Sequence, residues 1–164
     1  MSRLDSAIRR LQAQRTCLDF AIGLIEGLSG SILELGLGNG RTYDHLRANA
    51  GDRGIFVFDR QVAAHPDCVP DDSHLFLGDF RETLEAASKR LGATAIMAHC
   101  DIGSGDKHQT AALAAAIGLP LRALLAPNAV ILSDQALTIP GCNQIPLPDG
   151  IAADRYFIYR CAAE

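Results

Sequence analysis

The chain has 164 residues, 19 Asp and Glu against 15 Lys and Arg, a net charge of −4, and 48% hydrophobic residues at a mean hydropathy of +0.11. That length suits one domain with a full core, and no apolar run approaches the roughly 18 residues of a membrane span. The acidic balance, broken only by Arg9, Arg10 and Arg15 on one early segment, argues against a nucleic-acid footprint, and the surplus of apolar residues predicts a homo-oligomer. Met1 to Asp5 is charged and lacks the apolar stretch of a signal peptide. The five cysteines, Cys17, Cys68, Cys100, Cys142 and Cys161, are scattered, odd in number and without a CxxC, the pattern of reduced thiols in a cytoplasm.

Residues 2 to 28 read as a helix, opened by Ser2 with Asp5 three positions on and closed near Gly27 or Gly30. Leu4, Ile8, Leu11, Leu18, Ile22 and Ile25 form one apolar stripe with Arg15 in the missing place. The stripe packs on its own domain or a sister subunit, or the helix caps a site and Arg15 reaches a carboxylate there.

Residues 31 to 42, Ser-Ile-Leu-Glu-Leu-Gly-Leu-Gly-Asn-Gly-Arg-Thr, run from an apolar strand through three alternate glycines into a helix over 41 to 49. Such a turn needs positive φ and bare backbone against a ligand, and the helix that follows aims free N–H groups and a positive dipole end at the same space. The dinucleotide fingerprint GxGxxG would require glycine at 41, where Arg41 stands. The series Glu34-x-Gly36-x-Gly38-x-Gly40 instead resembles motif I of the class I S-adenosylmethionine (SAM) dependent methyltransferases. That resemblance implies an α/β fold of three Rossmann-like layers, a mostly parallel sheet with an antiparallel last strand, and here an extra N-terminal helix. It also implies that Glu34 steadies the turn and approaches the methionine amino end, while Gly36, Leu37, Gly38 and Gly40 meet SAM, or its product S-adenosylhomocysteine.

The apolar run Ile55 to Phe58 suits a parallel strand covered on both faces, and it ends in Asp59 and Arg60. An acid there can take both ribose hydroxyls. After a proline-broken stretch over 60 to 73, His74 to Leu77 is a third strand, followed by Gly78, Asp79 and Phe80. In the family that this resembles, the Gly-Asp carboxylate takes the adenine amino group and a neighbouring apolar side chain covers the ring. Asp79 also suits the N-cap of a helix over 80 to 91.

A fourth strand, 95 to 101, ends in His99, Cys100 and Asp101, where an open α/β sheet has its ligand crevice, so His99 and Asp101 are the candidate bases. A helix over 107 to 125, with Pro120 as its candidate break, leads to a fifth strand over 129 to 134. Leu124 to Asn128 is similar to the family's approach to that strand. Between Asp134 and a last strand over 156 to 161, Pro140, Gly141, Pro146, Pro148 and Gly150 leave little room for a fifth crossover helix; a short strand near 143 to 145 and an antiparallel strand at the sheet edge are expected.

The implied activity is methyl transfer from SAM to a small molecule, since the residues after the fourth strand match neither the Asn/Asp-Pro-Pro-aromatic tetrad of amino-group nucleic-acid methylases nor the Pro-Cys of the cytosine-C5 type. Asp101 with Asp134 and Gln135 resembles the Mg²⁺ ligands of a metal-dependent catechol-type variant, with Gln in place of Asn. A SAM-binding protein without catalysis, a subunit of a larger enzyme, and a nicotinamide oxidoreductase remain alternatives.

Overall fold

The computed structural model describes residues 2–163 and shows helices packed on both faces of one seven-stranded sheet. In chain order the elements are α1 (Arg3–Leu24), β1 (Ser31–Leu35), α2 (Arg41–Asn49), β2 (Ile55–Asp59), β3 (Leu75–Leu77), α3 (Phe80–Leu91), β4 (Ala95–Cys100), α4 (Lys107–Arg122), β5 (Leu125–Ser133), β6 (Cys142–Ile145) and β7 (Phe157–Cys161). The strand order is β3-β2-β1-β4-β5-β7-β6, and β7 alone runs opposite to the other six. Chain order therefore reverses between β1 and β4, which leaves a crevice at their carboxyl ends.

The strands are continuous apolar runs because both faces are covered. Ile32, Val57, Met97 and Val130 meet Cys17, Leu18 and Ala21 of α1, Ile25 just past its end, and Leu46 of α2 on one face. Leu33, Phe58, Ala98 and Ile131 meet Leu84 of α3 and Ile117 and Leu121 of α4 on the other. Where a fifth crossover helix was not expected, none is found among the described residues; the loop 134–141 covers that part of the sheet instead. Leu137 and Ile139 are buried in it, the Leu137 N–H donates to Tyr159 Oη at 2.9 Å, and Gly118 of α4 is glycine because a Cβ would collide with the Thr138 carbonyl.

Several details differ from the sequence reading. The capping box is present, with the Asp5 N–H donating to Ser2 Oγ at 3.0 Å, but α1 ends at Leu24 rather than 28. Its stripe does not run the whole length: Leu4 and Ile8 are 68% and 45% exposed, and burial starts at Ala13, Gln14, Cys17, Leu18 and Ala21. The first turns contribute no buried residue, and the second half packs on the sheet. Helix α4 passes through Pro120 without a break and ends two residues later. The last strand is not at the edge, because β7 inserts between β5 and β6 and leaves β6 outermost. That insertion also overturns the reading of five reduced thiols. Cys142 and Cys161, 19 residues apart, fall opposite each other in the β6–β7 register and form a disulfide. Cys17, Cys68 and Cys100 are free.

Candidate active site

A cavity of about 510 Å³ opens at the carboxyl ends of β1, β2 and β4, roofed by α1 and by the first turns of α3 and α4. This size suits a bound small molecule. The glycine turn forms its floor, with Gly36, Gly38 and Gly40 at φ 93°, 52° and 83°. Each has its own reason to lack a side chain. A Cβ on Gly36 would run into the Asp101 carbonyl, because β1 and β4 are still paired there, the Asp101 N–H donating to the Leu35 carbonyl at 2.9 Å. One on Gly40 would stand 2.5 Å from Cys68 Cβ, in the loop that follows β2. At Gly38 nothing lies within 4 Å, so the bare backbone faces open cavity.

Asp59, at the end of β2, holds this turn from the side. Its Oδ2 accepts the Leu37 and Gly38 N–H groups at 2.8 and 3.1 Å, and its Oδ1 accepts that of Arg60 at 2.6 Å. Leu37, Arg60 and Phe80 also line the cavity, whereas Gly78 and Asp79 stand just behind it. The Asp79 carboxylate caps α3 through the Arg81 N–H at 2.9 Å and pairs with the Arg81 guanidinium at 3.0 Å, which holds its pKa below the usual value.

Glu34 and His99 lie off the cavity wall and are fully buried. They are register partners across β1 and β4, with His99 Nδ1 2.9 Å from Glu34 Oε2. The other carboxylate oxygen of Glu34 accepts the Thr42 hydroxyl from the first turn of α2, and Tyr156 Oη lies 3.5 Å from His99 Nε2. Burial is the largest single influence on His99 and opposes its charge, but the carboxylates of Glu34, Asp101 and Asp134 together outweigh it and raise the histidine pKa. Asp101 does reach the cavity, half-exposed, and its Oδ2 accepts from Gln14 Nε2 at 3.1 Å. Asp134 turns its oxygens to the N–H groups of Ile102 and Gly103, both at 3.0 Å, and to Gln135 Nε2 at 3.1 Å; burial raises its pKa. Among the described residues no group of three or more His, Cys, Asp or Glu is arranged to hold a metal ion.

The structure thus brings Gly36, Leu37, Gly38, Asp59, Arg60, Phe80 and Asp101 to one cavity, and sets Glu34, Gly40, Gly78, Asp79 and His99 behind them. Sequence reasoning missed Arg10 and Gln14 of α1 and named Arg15, which is exposed elsewhere. The spacing held a signal: Gln14, Cys17, Leu18 and Ala21 share a face at steps of three and four, so a polar residue begins the buried stripe.

A family profile described as S-adenosyl-L-methionine methyltransferase matches residues 1–161. The chain belongs to this family. An S-adenosyl-L-methionine methyl transferase from Silicibacter pomeroyi DSS-3 is 45% identical, with a TM-score of 0.91 over 98% of each chain. Similarity in fold alone extends to TrmN from Thermus thermophilus, at 14% identity and TM-score 0.58 over 86% of this chain and 48% of that one. It extends also to SAM-bound CalS10, an amino pentose methyltransferase from Micromonospora echinaspora, at 18% identity and TM-score 0.50 over 90% and 64%. A search of curated proteins found no match.

The methyltransferase cavity fits SAM in its donor set: open space over Gly38, an acid at the end of β2, and an aromatic ring at Phe80. The family match sets the nicotinamide reading aside. Among the described residues no helix is long and apolar enough to cross a membrane.

Proposed function

We propose that this SAM-dependent methyltransferase acts on a small molecule held between α1 and Asp101. The observation that supports this most is the shared wall of one cavity, where the glycine turn and Asp59 meet Asp101 and the middle of α1, at Arg10, Leu11 and Gln14. In this reading Gly36, Leu37 and Gly38 leave backbone bare for the cofactor, Gly40 lets the turn close against the loop carrying Cys68, and Asp59 takes the ribose hydroxyls. Phe80 covers the adenine, while Gly78 and Asp79 shape that end of the site with Arg60. Bound there, SAM supplies an electrophilic methyl on a sulfonium whose leaving group departs neutral.

The protein's part is then to hold the acceptor in line, an effect worth up to roughly 7–11 kcal/mol, and to accept a proton where the acceptor carries one. Asp101 is the base of this proposal because it faces the cavity and Gln14 fixes its carboxylate. His99, sealed behind β1, acts only through Glu34 and Thr42, as the group that keeps the turn in place. A net charge of −4 supports a small acceptor over a nucleic acid. We assign the exposed Leu4 and Ile8 to contact between copies in a homo-oligomer.

Calorimetric titration with SAM, S-adenosylhomocysteine and NAD tests the reading. Micromolar binding of the first two without the third is expected. Binding of SAM with no turnover on any small-molecule acceptor would move the non-catalytic reading to the front.

A further inference from the structure

The sign of charge on the cavity wall is opposite to that of the chain. The chain carries 19 acids against 15 bases, yet the wall carries Arg10, Arg41, Arg60 and Arg81 against only Asp59 and Asp101. Two of these arginines are already engaged: Arg81 and Arg60 approach the Asp79 carboxylate at 3.0 and 3.8 Å. Arg10 and Arg41 have no ion-pair partner among the described residues. SAM does not account for both. At neutral pH it carries one carboxylate against an ammonium and a sulfonium, so it brings net positive charge to a wall that is already cationic. Like charges gathered on one cavity wall cost free energy unless an anion shares the space.

The two free arginines also differ in place. Arg41 opens α2 beside the glycine turn, on the cofactor side. Arg10 is on α1 one helical turn before Gln14, on the same face, and Gln14 is the residue whose amide binds Asp101. Arg10 therefore overlooks the Asp101 side, where the acceptor is proposed to bind.

We infer that the acceptor is a small organic anion, bearing a carboxylate or phosphate that Arg10 holds while its nucleophilic atom is beside Asp101. This deepens the proposed function and rests on it. A planar guanidinium suits both anions through two parallel hydrogen bonds. The same pairing fixes which end of the acceptor points at Asp101. Arg41 is left to the single carboxylate of the cofactor.

The test uses the wild-type enzyme saturated with S-adenosylhomocysteine, titrated with benzoate, phenyl phosphate, neutral benzamide and a short RNA oligonucleotide. Arg10→Gln and Arg9→Gln are run beside it; Arg9 is the exposed neighbour on α1, off the cavity wall. The expected result is binding of benzoate or phenyl phosphate but not benzamide. Arg10→Gln should weaken it about tenfold or more and Arg9→Gln leave it unchanged. SAM affinity in Arg10→Gln should stay within about twofold of wild type. If the anion probe binds equally well to Arg10→Gln, or benzamide binds as well as benzoate, the inference fails while the methyltransferase reading stands. Loss of SAM affinity in Arg10→Gln overturns it by giving Arg10 to the cofactor, and preferential, Arg10-dependent RNA binding overturns the small-molecule class. Failure of wild type to bind SAM at all is the distinct failure of the proposed function, and the inference falls with it.

Discussion

His99 Nδ1 and Glu34 Oε2 stand 2.9 Å apart with no exposed surface on either residue, joined across two adjacent parallel strands directly beneath the glycine turn. The Thr42 hydroxyl completes the group from α2, so one carboxylate ties β1, β4 and α2 together. A buried pair of this kind adds little over an apolar pair, but removing one member strands the other in the core. His99→Ala and Glu34→Ala should each lose about 3–5 kcal/mol in urea unfolding. The double variant should lose clearly less than the sum, and additive losses would show that the two side chains are not coupled.

The same pair predicts a pH dependence. Because the His99 pKa is raised in the folded chain, despite burial, by the carboxylates of Glu34, Asp101 and Asp134, folding takes up a proton above the ordinary histidine value of 6.5. The contribution is therefore complete below about pH 6.5 and is lost as pH rises through the folded value. Between about pH 6 and pH 9 wild type should lose stability relative to His99→Gln, measured by thermal or urea unfolding at each pH. A constant difference would mean that His99 does not change protonation on folding.

How much of this was legible beforehand depended on whether a role was local in the chain. The glycine turn, the acid ending β2 and the apolar runs of β1, β2 and β4 are local patterns, and the structure has them within a residue or two. His99 and Asp101 read as equivalent because residues two apart on a strand share a face, but β4 stops at Cys100, between them. His99 points into the layer beneath α1 and α2, and Asp101, past the strand's end, meets the cavity. The pairing of Cys142 with Cys161 and the reach of Gln14 to Asp101, 87 residues away, depend on tertiary register that no spacing records.

Asp59 joins two functions, since it carries the turn's N–H groups and faces the cavity. Asp59→Ala should lower SAM affinity by at least about tenfold, as removal of a charged hydrogen-bond partner costs about 1.5–3 kcal/mol. Calorimetry reads this directly. Unchanged affinity would take the ribose away from Asp59.

Asp101 and the cofactor should separate kinetically. Asp101→Asn keeps the shape and the contact with Gln14 but cannot take up a proton, so kcat on a protonated acceptor should fall by roughly 10²–10⁴-fold with SAM affinity unchanged. The loss should be absent for an acceptor already deprotonated at the working pH. Equal losses for both would make Asp101 a binding residue rather than a base.

The three glycines of the turn should respond differently although the sequence presents them as one motif. All three have positive φ, so any side chain there carries a left-handed penalty of about 1–2 kcal/mol. At Gly36 and Gly40 a collision is added, with the Asp101 carbonyl and with Cys68, and both contacts hold the turn against the rest of the fold. Gly36→Ala and Gly40→Ala should therefore unfold at markedly lower urea concentration than wild type. Gly38 faces open cavity, so Gly38→Val should carry the conformational penalty alone and stay folded while filling the space that SAM needs. The expected pattern is two unstable variants and one stable variant that no longer binds SAM in calorimetry. Retained affinity in Gly38→Val would place the cofactor away from the turn, and full stability in Gly40→Ala would show that the loop carrying Cys68 moves aside at little cost.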